Sequence, residues 1–170
     1  VLFITVYKGL ILAISIGIIF SVFRSFKELS STLRLTNQHK IIPFSESDFI
    51  IKEQYEKEFS KTSISVLQPY GPLFFGSIES LINIYTTAPM HKMLIIDMSK
   101  VTMIDLSGVY ALEDLIGNVK KNNIQVVVSN ASSKIKKILD KLNFIKNIGI
   151  DYYKDSNESV ISFILKHYNL

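Results

Sequence analysis

The first block of apolar positions, Gly9 to Phe23, runs fifteen residues without a charge between Lys8 and Arg24. As a helix it would be about 22 Å long, short of the roughly 30 Å hydrocarbon core of a bilayer. Adding Val1 to Tyr7 brings it to about 35 Å, with Lys8 snorkelling or lining a polar interior. The alternative is a chain reversal near Tyr7, Lys8 and Gly9, with Val1 to Val6 the tail of a preceding span. Both readings predict a membrane segment. A signal peptide does not fit, because a basic leader and a small-residue cleavage site are both missing. Phe26, Leu29 and Leu33 keep helical spacing and carry the helix on to Thr36, Asn37 and Gln38. Arg24, Lys27, Arg34 and Lys40 follow the apolar block against only Glu28, so residues after about position 24 are expected in the cytoplasm, with the helix in the cell inner membrane.

Pro43 marks a break, and from Ser45 to Thr62 charges dominate around Phe49, Ile50 and Ile51, so residues 36–62 read as a linker or a short peripheral element, a solvated face with a few anchoring aromatics. The pattern then becomes that of an α/β domain over residues 63–170. Ser63 to Gln68 predicts a strand, Pro69-Tyr70-Gly71 a turn and Pro72 to Phe75 a second strand, together an N-terminal hairpin. A helix is expected from about Ser77, with Ile78, Leu81, Ile82 and Tyr85 on one face. Met93 to Asp97 is apolar until its closing Asp, which suits the buried central strand of a sheet covered on both faces. Asp105 stands where an N-cap is wanted, and Val109, Leu112, Leu115, Ile116 and Val119 give the following helix one apolar face. Asn122 and Asn123 end it. Ile124 to Val128 predicts another strand, and Ser132 or Ser133 caps a helix with Ile135, Ile138, Leu139 and Leu142 inward. A short strand is expected at Ile148 to Tyr152 and a final helix capped by Asp155 and Glu158. Strands alternating with helices imply a largely parallel sheet with an antiparallel edge supplied by the hairpin.

Composition narrows the function classes. Hydrophobic residues make up 48% of the 170, and the mean hydropathy of +0.27 is high for a soluble chain. The formal charge of +4 is modest and spread along the chain, which argues against nucleic acid as a partner. The absence of cysteine excludes disulfides, thiolate catalysis and cysteine zinc sites. His39, His91 and His167 lack metal-ligand spacing and read as surface histidines. No glycine-rich phosphate loop exists, so no cofactor and no enzymatic activity are expected. Asp97 ends a strand, as catalytic carboxylates often do, but is better read as a hydrogen-bond acceptor for the neighbouring loop. A start at Val1 rather than Met suggests a piece of a longer protein.

The candidate site is the turn Asp105-Leu106-Ser107-Gly108. Ser107 is not in a nucleophile elbow, since position 105 is Asp where that motif needs Gly. A hydroxyl and free backbone N–H groups at a helix N-terminus make the turn a candidate for anion contact or phosphorylation. Gly108, inside the first helical turn, costs helix stability relative to Ala, and close approach of another backbone or a ligand is the reason expected for it.

From about Ile64 to Leu165 the chain resembles a STAS domain, the module shared by sulfate transporters and anti-sigma factor antagonists. The likeness rests on IIDMSKVTMIDLSGVYALEDL, on NIQVVVSNASSKIKKILDKLNF and on YGPLFFGS, the last similar to the transporter branch. Val1 to Arg34 resembles the last membrane helix of SulP family permeases. In the antagonists the motif is commonly Asp-Ser-Ser-Gly with the second serine as phosphate acceptor, the position Ser107 matches. Leu106 replaces the first serine and Tyr110 a usual glycine, which fits the transporter branch better. The resemblance implies a STAS-type mixed β-sheet with helices packed on it, preceded by one transmembrane helix (residues 1–35). It implies the cytoplasmic regulatory part of a secondary transporter for sulfate, bicarbonate or a similar anion. The alternative is an anti-sigma-antagonist-like phosphoswitch that binds a kinase through the Ser107 turn. The partners expected are membrane lipid, the upstream transmembrane domain of the same protein, a second copy in a homodimer, and a regulatory protein at that turn.

Overall fold

A computed structural model describes residues 9–35, 39–49, 59, 63–86 and 91–168. The chain divides into two compact units, Val1–Leu35 and Thr36–Leu170. In the first, helix α1 spans Leu10–Leu35, about 39 Å at the α-helical rise. Ile11, Ile18, Phe20 and Phe23 are exposed on it. Ser15 Oγ donates to the Ile11 carbonyl one turn back, so even this polar side chain is satisfied within the helix. The uncharged part of α1, from Leu10 to Phe23, rises only about 21 Å. Among the described residues no helix is long and apolar enough to cross a membrane. The complete span expected from sequence is therefore not met by them; the segment that would lengthen it, residues 1–8, lies outside the described residues.

The second unit is organised on a five-stranded sheet built from β1 (Lys40–Pro43), β2 (Ile64–Gln68), β4 (Met93–Asp97), β6 (Gln125–Ser129) and β7 (Tyr153–Lys154), in the order β1-β2-β4-β6-β7. Only β1 runs antiparallel to its neighbour. β4 is central, as its apolar run implies, with Ile95 between Val66 of β2 and Val127 of β6. Successive strand residues point to opposite faces, and the two faces have separate cores. Leu67, Leu94, Ile96, Val126 and Val128 meet helices α2 (Phe75–Thr86), α3 (Leu106–Lys121), α4 (Ser133–Lys141) and α5 (Phe144–Ile148) through residues such as Ile78, Leu112, Leu139 and Phe144. Val66, Met93, Ile95 and Val127 meet Val160 and Ile164 of α6 (Asn157–Tyr168), together with Phe44, Phe49 and Phe59.

That second core corrects the linker reading. Lys40–Pro43 supply the antiparallel edge strand, and Phe44 packs at a tilt against Phe49 and Phe59 with ring centroids 5.3 Å apart in both pairs. The surrounding charges mask three core aromatics. The hairpin expectation is corrected as well. β3 (Gly71–Leu73) does not pair with β2, both of whose edges are occupied by β1 and β4. It forms a separate two-stranded parallel sheet with β5 (Val101–Ile104), a strand that the sequence reading missed, with Pro72 opposite Met103 and Leu73 opposite Ile104.

The C-terminal elements shift by a few residues. The strand expected at Ile148 to Tyr152 is the end of α5 and a single 3-10 turn, Ile150–Tyr152, and pairing begins at Tyr153. Asp155 is turned to Lys136, at 2.6 Å. Ser156 is the residue that caps α6, accepting from the Ser159 amide. Ser132 caps α4 as expected, and Asn123 takes the left-handed conformation after α3.

Candidate functional site

Asp105 caps α3. Its backbone is in the extended region that precedes a helix, and its Oδ1 accepts from both the Gly108 amide and the Ser107 hydroxyl, each at 2.7 Å. The turn is anchored from below by β3: the Asp105 amide donates to the Leu73 carbonyl at 3.2 Å. The same carbonyl explains Gly108, since a Cβ there would lie 2.5 Å from Leu73 O and 2.9 Å from Leu73 C. Close approach of another backbone is thus the reason for the glycine, and that backbone belongs to the chain itself. Leu106 and Ser107 are exposed, and Phe75, Met103 and Tyr110 are exposed large apolar side chains on the elements that meet at this turn.

The geometry changes the electrostatic reading of Ser107. Sequence alone placed its hydroxyl among free amides at the positive end of a helix, where an added phosphate would be favoured. In the structure the Gly108 amide is already taken by Asp105, whose carboxylate holds the Ser107 hydroxyl as well. A phosphate on Ser107, bringing a charge of about −1.5 to −2, would lose that hydrogen bond and face the capping carboxylate. Modification would therefore strain the cap as well as alter the surface. Asp105→Ala should lower stability by about 0.5 to 2 kcal/mol, because it orphans the Gly108 amide. Ser107→Ala, which removes only an exposed donor, should stay within about 0.5 kcal/mol. Thermal unfolding of the two variants beside wild type measures the difference, and an equal effect would contradict the cap geometry.

Asp97 is buried at the end of β4. It is 4% exposed and accepts from the Ser99 amide and hydroxyl, Gln68 Nε2 and Asn130 Nδ2 at 3.0 to 3.1 Å. Asn130 also donates to Asn157 Oδ1 at 2.7 Å, so this carboxylate ties the ends of β2, β4 and β6 to the start of α6. The bonds to Ser99 are the contact with the neighbouring loop that the sequence favoured for it. The histidines need correction. His39 and His91 are buried, not surface residues, while His167 is exposed and stacks on Phe163. Among the described residues no group of three or more His, Cys, Asp or Glu could hold a metal ion. Sequence reasoning missed Leu73, whose carbonyl supports the turn, and the Phe75 and Met103 side chains around it; the signal was the apolar run Leu73-Phe74-Phe75 beside Gly108.

Comparison with known proteins agrees with this architecture. The STAS domain family model matches residues 56–158. The Bacillus subtilis (strain 168) protein YvdB, provisionally named a sulfate transporter, is 26% identical over 158 residues, covering 92% of this chain and 28% of that protein. The STAS domain of a SulP transporter from Vibrio cholerae superposes with a TM-score of 0.55 at 22% identity, covering 64% of this chain and 86% of that one. A structure of SLC26A9 superposes with a TM-score of 0.64 at 16% identity, over 85% of this chain and 27% of that one. With a mixed sheet, a β3-supported turn before α3 and a family match over more than half its length, the chain belongs to the STAS domain family. The STAS domain of a SulP transporter is among its structural matches, and it spans less than a third of YvdB's length.

Proposed function

We propose that this chain is the cytoplasmic regulatory STAS domain, with the end of the last membrane helix, of a SulP-type secondary anion transporter. The observation that carries the reading is the likeness to YvdB, which covers 92% of the chain and so takes in most of α1 as well as the domain. The exposed apolar side chains of α1 support placing that helix in lipid or against other membrane helices, with the preceding residues completing the span. Sulfate, bicarbonate or a similar anion is the cargo. Its binding site would lie in spans outside this chain, near the bilayer midplane where such transporters hold their substrates.

The Ser107 turn is the regulatory contact in this reading. An exposed hydroxyl between exposed Leu106 and Tyr110 is accessible to a kinase or partner. A dianion there would oppose Asp105 and alter docking on the adjoining apolar side chains. The partners proposed are the upstream transmembrane domain, a second copy of the protein and a regulatory protein at the turn. In the full-length protein reconstituted in vesicles, labelled sulfate or bicarbonate should accumulate. Ser107→Asp should change the uptake rate, and Ser107→Ala should leave it unchanged or shift it the opposite way. Vesicles that take up none of these anions would overturn the transport reading. Equal rates for wild type and Ser107→Asp would remove the regulatory one.

A further inference from the structure

His39 is the first described residue after α1 and directly precedes β1. Its imidazole is 5% exposed, and Nδ1 accepts a hydrogen bond from the Tyr70 amide at 3.0 Å. An amide can only donate, so Nδ1 carries no proton and the ring is held as the neutral tautomer with its hydrogen on Nε2. That nitrogen is buried and has no hydrogen-bond partner among the described residues. A second proton would set N–H against N–H at Tyr70 and place a charge in a buried site, both unfavourable.

What the bond secures extends beyond Tyr70. Pro69 offers no backbone donor, and Gly71 turns the chain with a left-handed φ of 77°. The Tyr70 amide is thus a fixed point at which the ribbon leaves β2 for β3. β3 ends three residues later at Leu73, whose carbonyl accepts from Asp105 and packs against Gly108. A short path of backbone contacts therefore joins the imidazole to the N-terminal turn of α3.

We propose that His39 is a pH-sensitive latch: while neutral it pins the ribbon from Tyr70 to Leu73 that supports the Ser107 turn, and its protonation releases that ribbon. Among the described residues, the elements packed most closely against β1 are β2 and α2. The titratable or charged groups on or next to them are Lys40 on β1 itself, Tyr70 after β2, Glu79 and Tyr85 on α2, and Asp97, reached through Gln68. None makes an ion pair with the imidazole among the described residues, and burial lowers the His39 pKa from its ordinary value. The sign follows. Above about pH 6.5 the ring is neutral whether the latch is closed or open, and pH has no effect on it. Below that the open form takes up a proton that the closed form refuses, so closure weakens by about tenfold per pH unit until His39 titrates in place.

The test is an NMR pH titration of the isotope-labelled 170-residue chain in detergent micelles, from about pH 7.5 to about pH 5. His39 should titrate below the ordinary value. The hydrogen-exchange protection factor of the Tyr70 amide should fall by about tenfold per pH unit below about 6.5, and the Gly108 amide shift should move in parallel. His39→Asn, which keeps an acceptor oxygen without a titrating ring, should give flat profiles at both amides. Tyr70 protection that ignores pH in wild type, or that falls equally in His39→Asn, would overturn the latch. So would a Gly108 amide that stays still while Tyr70 opens. Should the variant not fold, the wild-type profiles still decide. These readouts involve no transport, so the latch and the transporter reading stand or fall separately.

Discussion

Leu94→Asp should abolish folding of the second unit. Leu94 is fully buried in the central strand, opposite Ser65 of β2 and Val126 of β6, on the face covered by α2 to α5. A carboxylate there has no cation to meet. Neutralising or desolvating it costs several kcal/mol, and the lost leucine contacts and the cavity strain add more, against a total stability of roughly 5 to 15 kcal/mol. Circular dichroism should show no cooperative thermal transition. Lys121→Ala, at the exposed end of α3, should melt close to wild type. A cooperative transition in Leu94→Asp would show that β4 is not the centre of the core.

Gly108→Ala should destabilise the domain although alanine is the better helix former. The new methyl would meet the Leu73 carbonyl oxygen at 2.5 Å and Ile104 Cγ1 at 3.2 Å. The first of these is backbone held in the β3–β5 pair, so α3 or β3 must move. Overpacking of this kind costs about 1 to 3 kcal/mol, more than the gain of up to about 1 kcal/mol from removing a helical glycine. Gly117→Ala supplies the internal contrast. It lies in the same helix with no atom near the added Cβ, so it should raise stability by about 0.5 to 1 kcal/mol. Urea midpoints of the two variants should move in opposite directions. Equal shifts would mean that β3 does not sit against the helix.

Much of this arrangement was legible in the chain. The closing Asp of the run Met93 to Asp97, the Asp105 cap, and the apolar spacing of Val109, Leu112, Leu115, Ile116 and Val119 are local signals, each set by its own neighbours. The structure keeps them all. The glycine at 108 announced a close approach without saying to what. The pattern did not encode that the Asp105 carboxylate, only two residues away, holds the Ser107 hydroxyl, because that choice depends on rotamers.

By itself, then, the sequence determined the alternation of strands and helices, the central strand, the cap at Asp105, a serine cap at position 132 or 133, and the turn that follows Ile104. Each follows from periodicity or from capping within a few residues. The tertiary structure decided which strands pair. β3 lies beside β5 because both edges of β2 were taken, one of them by β1, from the segment read as a linker. It also decided which polar residues are buried. His39 Nδ1 accepts from an amide 31 positions away, and Asp97 accepts from side chains 29 and 33 positions away, so these environments exist only once distant segments have been brought together by the burial of apolar faces.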